Sequence, residues 1–236
     1  MKMIMNGTMA ALVGAGMATT ALAGSPKPPD DFGDVYVLPV NGVLTTNRLI
    51  DLGNDEFTFE PFRCFSAELG EIIPFYADEP GFYSDSLPAG FQLSFDILDS
   101  LRMWNGSDFG TIPAETLTLA LALGVPGSPE VQTPAVPGVV AGFPFVTADP
   151  TGFIDEHMDL FLNVPQGDGV YLLQMRLNDA DAALGTSEPF WIVVSNNADK
   201  AEFDLAKAYV ESVIVPAPGA GALLVGAGLL GLRRRR

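Results

Sequence analysis

Four scarcities bound what this 236-residue chain can do: one cysteine, one histidine, two tryptophans, and only 12 lysines and arginines against 29 aspartates and glutamates. A single cysteine, Cys64, excludes an internal disulfide framework. Its setting, FRCFSAEL, alternates apolar residues with others, so Cys64 is expected to be a small buried hydrophobe and not a nucleophile. A single histidine, His157, and the lack of any G-x-S-x-G leave Ser-His-Asp hydrolysis without its parts. No GxxxxGK[ST] occurs, which removes a phosphate-cradling loop. The basic residues are scarcer than they look, because Lys2 and the four C-terminal arginines lie in terminal segments without acids. The remainder carries seven basic residues against 29 acidic ones. Such a surface repels phosphate, so no nucleic-acid partner is expected. It suits cations, and it also keeps an extracellular protein from aggregating.

What is present begins with a globular composition, 48% hydrophobic, in a chain long enough for one substantial domain. The opening MKMIMNGTMAALVGAGMATTALAGSPKPPDD has a charge at Lys2, an apolar stretch near Met9 to Ala18, and small residues at Ala21 and Ala23. These fit a signal peptidase site, so residues 1–23 are expected to be a signal peptide cleaved after Ala23. Export into a bacterial periplasm does not require disulfides. The other end reads VPAPGAGALLVGAGLLGLRRRR. Its 14 residues from Gly219 to Leu232 would make a helix of about 21 Å, short of the ~30 Å hydrocarbon core. Extension backwards meets Pro216 and Pro218, which interrupt helix hydrogen bonding. The arginines act as a cytoplasmic stop. Residues 219–232 are therefore expected to anchor the chain in the inner membrane only transiently.

This tail resembles the PEP-CTERM sorting signal, which combines a V-P-E-P-like motif, a Gly/Ala/Leu-rich helix and a basic cluster. Val215, Pro216, Ala217 and Pro218 match the motif, with Ala217 where the named pattern has glutamate. Arg233, Arg234, Arg235 and Arg236 match the cluster. The resemblance implies that residues 213–236 are recognised by an exosortase, an integral membrane transpeptidase, in bacteria rich in extracellular polysaccharide.

Between the two ends, residues 24–212 read as one domain of short strands broken by Gly, Pro, Asn and Asp. FQLSFDIL (91–98) sets Phe91, Leu93, Phe95 and Ile97 on one face. HMDLFLN (157–163) and GVYLLQMRL (169–177) alternate likewise. DVYVL, GVLTTNRLI, EFTFE, ETLTLALAL, AGFPFVT and FWIVVS complete about nine strands, and the fold class expected is all-β, an antiparallel β-sandwich. One late helix is expected over 199–212, capped by Asn197 or Asp199, with Ala201, Leu205, Ala208 and Tyr209 sharing one face, either packed on the sandwich edge or serving as a stalk before the tail. The proline-rich 124–138 is expected to be a long crossing loop. The segments DEPGFYS, LSFDI, WNGSDF, IPAETL, GVYLLQMRL and SEPFWIVVSNN are similar to a group of secreted PEP-CTERM proteins over about two thirds of the mature chain. That resemblance implies the sorting route and no particular activity. Where the group carries a His-rich stretch before the YLL strand, this chain has only His157.

Three clusters are candidates for chemistry. On a continuous strand, Asp155, His157 and Asp159 would share one face about 7 Å apart, half of a divalent-metal site or else a solvated strand face. Asp179 and Asp181 in LNDADAALGTSE have the one-apart spacing of calcium ligands, but the glycine and further oxygens of an EF-hand loop are misplaced. Among aromatics, Trp191 within FWIVV reads as buried, whereas Trp104 beside the turn in MWNGSDF is the candidate for stacking on a sugar ring. The expectation is a non-enzymatic protein of the cell surface or extracellular matrix, structural or adhesive, partnered in export by signal peptidase and exosortase and afterwards by extracellular polysaccharide. A carbohydrate- or divalent-metal-binding module is the alternative, and an extracellular hydrolase the third. No cofactor is expected beyond calcium or another divalent ion.

Overall fold

In strand Gln92–Ile97, the residues Leu93, Phe95 and Ile97 are fully buried while Gln92 faces out, as the alternation requires. A computed structural model describes residues 33–53 and 56–215; Ala21 and Ala23 of the expected signal peptide, and Pro216 to Arg236 of the expected sorting tail, lie outside the described residues. Among the described residues there are sixteen strands and one late helix. The chain is mostly β, as expected. Apart from Cys64–Leu69, the extra strands, such as Tyr76–Ala77 and Phe82–Ser84, have two or three residues each, too few to display a period. Cys64–Leu69 has six, and it is the strand behind the alternation noted in FRCFSAEL.

The strands form three sheets. Five strands order as Ile154–Glu156, Phe82–Ser84, Val35–Val40, Val43–Gly53, Glu56–Pro61. Four order as Glu130–Gln132, Thr116–Ala120, Asp159–Asn163, Tyr76–Ala77. The third, of seven strands, centres on Gly169–Asp179 paired with Phe190–Asn196 and Gln92–Ile97. The expectation of purely antiparallel pairing is corrected, since Val35–Val40 runs parallel to Phe82–Ser84 and Cys64–Leu69 parallel to Phe190–Asn196. Half-burial generates the alternation in either direction, so the pattern carries no sign of polarity. AGFPFVT breaks into Val140–Ala141 and Val146–Thr147, because both pieces pair with Gln92–Ile97 around a loop. The proline-rich loop is also corrected: Glu130–Gln132 folds back on Thr116–Ala120 as a hairpin.

Strand Phe190–Asn196 is buried at every position. Phe190, Ile192 and Val194 enter the main core with Leu173, Met175 and Leu177, while Trp191 and Val193 on the other face join Val170, Leu172 and Cys64. That second face is covered by helix Lys200–Tyr209 and the wider turn Val210–Ile214. Asp199 is the cap, accepting from the Ala201 N–H at 2.8 Å. The buried stripe is Phe203, Ala206 and Val210, and Leu205 is 64% exposed. This corrects the expected face. The helix turns Phe203 inward, and of the expected stripe only Tyr209 packs on the cluster while Ala201, Leu205 and Ala208 stay exposed, because the two alanines offer little apolar area to bury. No helix among the described residues is long and apolar enough to cross a membrane.

Candidate functional site

Strand pairing assembles one cluster from three distant segments. Parallel register sets Tyr36 opposite Tyr83, and antiparallel register sets Asp155 opposite Tyr83. Two residues further along the same registers, Asp34, Gly81 and His157 fall side by side. The Val35 N–H donates to the Gly81 carbonyl at 2.9 Å, and the Gly81 N–H donates to Asp34 Oδ1 at 2.9 Å and to Glu79 Oε2 at 3.0 Å. Gly81 is needed for close approach. A Cβ there would stand 2.6 Å from His157 Cε1, 2.7 Å from Nε2 and 2.8 Å from Asp34 Oδ1, all inside van der Waals contact. One ligand atom each from Asp34, Glu79 and His157 can be chosen so that all lie within 4.8 Å of one another. This set of one nitrogen and two carboxylate donors can hold a divalent ion.

Asp34 is 2% exposed, and a buried carboxylate requires hydrogen-bond or charge partners. His157 Nδ1 lies 2.8 Å from the Asp78 carbonyl oxygen and 3.6 Å from Glu79 Oε1, while Nε2 lies 4.0 Å from Asp155 Oδ1. Partial burial works to lower the imidazole pKa. The Asp78 carbonyl and the carboxylates of Glu79, Asp34 and Asp155 outweigh it, so the pKa is held above its ordinary 6.5. In metal-free protein this contributes stability that is complete below pH 6.5 and is lost as pH rises through the raised value. Thermal unfolding in EDTA is expected to show that decline in the wild type and not in His157→Gln; parallel profiles would refute it.

Of the residues expected from sequence, Asp155 and His157 come together here and Asp159 does not. The chain leaves the five-stranded sheet after Glu156, buries Met158 in the core, and starts a new strand at Asp159 in the four-stranded sheet. The single face assumed for 155–159 therefore does not exist. Asp159 accepts instead from Tyr76 OH at 2.7 Å and the Leu123 N–H at 2.6 Å. Asp34 and Glu79 were missed. Their signal was the glycine in DEPGFYS beside two acids, which becomes readable only once Phe82–Ser84 is known to pair with both neighbours.

The other candidates resolve into structure. Asp179 takes the N–H groups of Asp181, Ala183 and Leu184, so it caps its own turn. Trp104 is only 7% exposed, with its ring 5.1 Å from Phe109 and 5.3 Å from Tyr209. The expected exposed sugar platform is thereby corrected, because the helix that follows the sheet covers it. Trp191 is buried, as expected. Cys64 is buried, and burial, reinforced by Glu211, pushes its thiol up to about 12. Disulfide-exchange reagents at pH 8 are expected to label it only as fast as the protein unfolds, and rapid labelling of folded protein would contradict this. Of the expected sorting motif, Val215 is described; its N–H donates to the Val210 carbonyl at 2.9 Å and its side chain packs against the cluster of Trp104, Trp191 and Phe203. Compared with protein-family models, curated proteins and solved structures, the chain matches none.

Proposed function

We propose that this chain is an exported, non-enzymatic component of the cell surface or extracellular matrix, a β-sandwich module that binds a divalent cation through Asp34, Glu79 and His157. The observation that carries the cation reading is the convergence of those three side chains, within 4.8 Å, from segments far apart in sequence. An ion there ties the entry of the first strand to the loop before Phe82 and to the end of Ile154–Glu156, so its role is to stabilise the fold. The surplus of acid over base, 29 against 12, supports retention of cations around the protein. The export signal with Ala21 and Ala23, and the tail from Val215 to Arg236, support passage through the membrane, trimming by an exosortase-type transpeptidase and a final position among extracellular polysaccharide.

Thermal unfolding of the full-length chain tests the cation. A rise in Tm on adding a millimolar divalent salt to EDTA-treated protein, lost in Asp34→Asn, is expected; no rise with Ca²⁺, Zn²⁺ or Mn²⁺ overturns it. Mass spectrometry of the secreted protein tests the sorting. The mature form is expected to end upstream of the arginines, and one that retains Arg236 refutes the tail reading.

A further inference from the structure

We propose that the ion held by Asp34, Glu79 and His157 is a transition metal of the zinc class, ligated by His157 Nε2, and is not calcium. The inference rests on the cation reading above and sharpens it. Three observations carry it.

The first concerns the two ring nitrogens. His157 Nδ1 lies 2.8 Å from the Asp78 carbonyl oxygen. A carbonyl only accepts, so Nδ1 carries the hydrogen, and in neutral imidazole Nε2 then presents a lone pair. Metal-ligating histidines are held in this way, with the other ring nitrogen donating to a carbonyl or carboxylate, which fixes the tautomer and the ring plane.

The second is where that lone pair lies. The position that a Gly81 side chain would fill is 2.7 Å from Nε2 and 2.8 Å from Asp34 Oδ1. Asp155 Oδ1 lies 4.0 Å from Nε2. The nitrogen lone pair thus stands among carboxylate oxygens, which accept and do not donate, so the arrangement favours a positive centre between them. Only a glycine at position 81 lets the imidazole and the Asp34 carboxylate approach the backbone this closely.

The third is the donor set. Calcium takes oxygen ligands, six to eight of them, whereas zinc and its neighbours take imidazole nitrogen with carboxylate oxygen in sets of about four. Bonds of about 2.0–2.2 Å keep any two zinc ligands within about 4.4 Å. One donor atom from each of the three residues can be chosen within 4.8 Å of the others, so binding needs a closure of the set. Asp34 is buried, while the Glu79 side chain, which shares the Gly81 N–H with it and lies 3.6 Å from His157 Nδ1, is 39% exposed and is the one that must swing toward Nε2. Three protein ligands leave a fourth position for water, with Asp155 as an outer carboxylate.

Titration of EDTA-treated, full-length protein with ZnCl₂ and with CaCl₂ tests this. Zn²⁺ is expected to bind at one equivalent and raise Tm at concentrations where Ca²⁺ does neither. His157→Gln, its fold checked by circular dichroism, is expected to weaken Zn²⁺ binding by at least the ~10–100-fold typical of losing even an outer-shell partner. Co²⁺ as a spectroscopic stand-in is expected to give d–d bands in the wild type that His157→Gln abolishes, a readout that a purely structural histidine would not move. Equal binding of Ca²⁺ and Zn²⁺, or unchanged Zn²⁺ binding in His157→Gln, overturns the metal assignment while leaving a divalent site in place. Binding of neither ion removes the site itself.

Discussion

Trp104→Ala is expected to destabilise the protein by about 3–5 kcal/mol, the range for truncating a large buried aromatic. The ring is enclosed by Phe109 and Tyr209 and belongs to the cluster that Phe203, Ala206 and Val210 close from above. Deleting it opens a cavity beneath the helix, and the helix cannot settle into the gap without losing its seat on Trp191 and Val193. Urea denaturation followed at 222 nm should therefore show a lower midpoint and early loss of helical signal. A change under about 1 kcal/mol, the ordinary outcome at a surface site, together with lost glycan binding, would return the ring to the role of ligand platform.

Gly81→Ala is expected to cost about 1–3 kcal/mol, the usual range for forcing extra volume into a packed site, and to abolish the response to added divalent ions. The added methyl would meet His157 Cε1 at 2.6 Å, Nε2 at 2.7 Å and Asp34 Oδ1 at 2.8 Å. Neither side chain retreats freely, because the Asp78 carbonyl holds the imidazole and the Gly81 N–H holds the carboxylate. Gly33→Ala is the control: a Cβ there meets nothing within 4 Å, so stability should stay within about 0.5 kcal/mol. If both variants unfold and respond to metal like the wild type, Gly81 is not the spacer of the site.

The all-β class was legible because burial of one sheet face imposes a period of two, and FQLSFDIL, GVYLLQMRL and HMDLFLN all carry it. FWIVVS was legible for another reason: an unbroken apolar run suits a strand covered on both sides. Strand direction was not legible, since alternation is the same in parallel and antiparallel pairs. Of the site, His157 and Asp155 could be found because they are neighbours in sequence. Asp34 and Glu79 could not, because only the parallel pairing of Val35–Val40 with Phe82–Ser84 brings them to the same place. Asp159 was misassigned because the chain changes sheets between Glu156 and Asp159, while Met158, Leu160 and Leu162 keep the parity of Ile154 and only Glu156 interrupts it. The late helix was correctly located but its face only partly read: Phe203 and Ala206 are buried, and of the expected stripe Tyr209 alone packs on the cluster.

The seating of that helix has a mechanical consequence. The described chain ends at Val215, bonded to the last turn over the seven-stranded sheet. Tension drawn through the following residues enters the domain at this turn and loads the contact of Phe203, Ala206 and Val210 on Trp104 and Trp191 before it reaches any strand. Side-chain packing yields piece by piece as the helix lifts, whereas the long paired strands beneath resist in shear. The helix therefore acts as the yielding link, and extension under force is expected to begin with its release while the sheets stay intact.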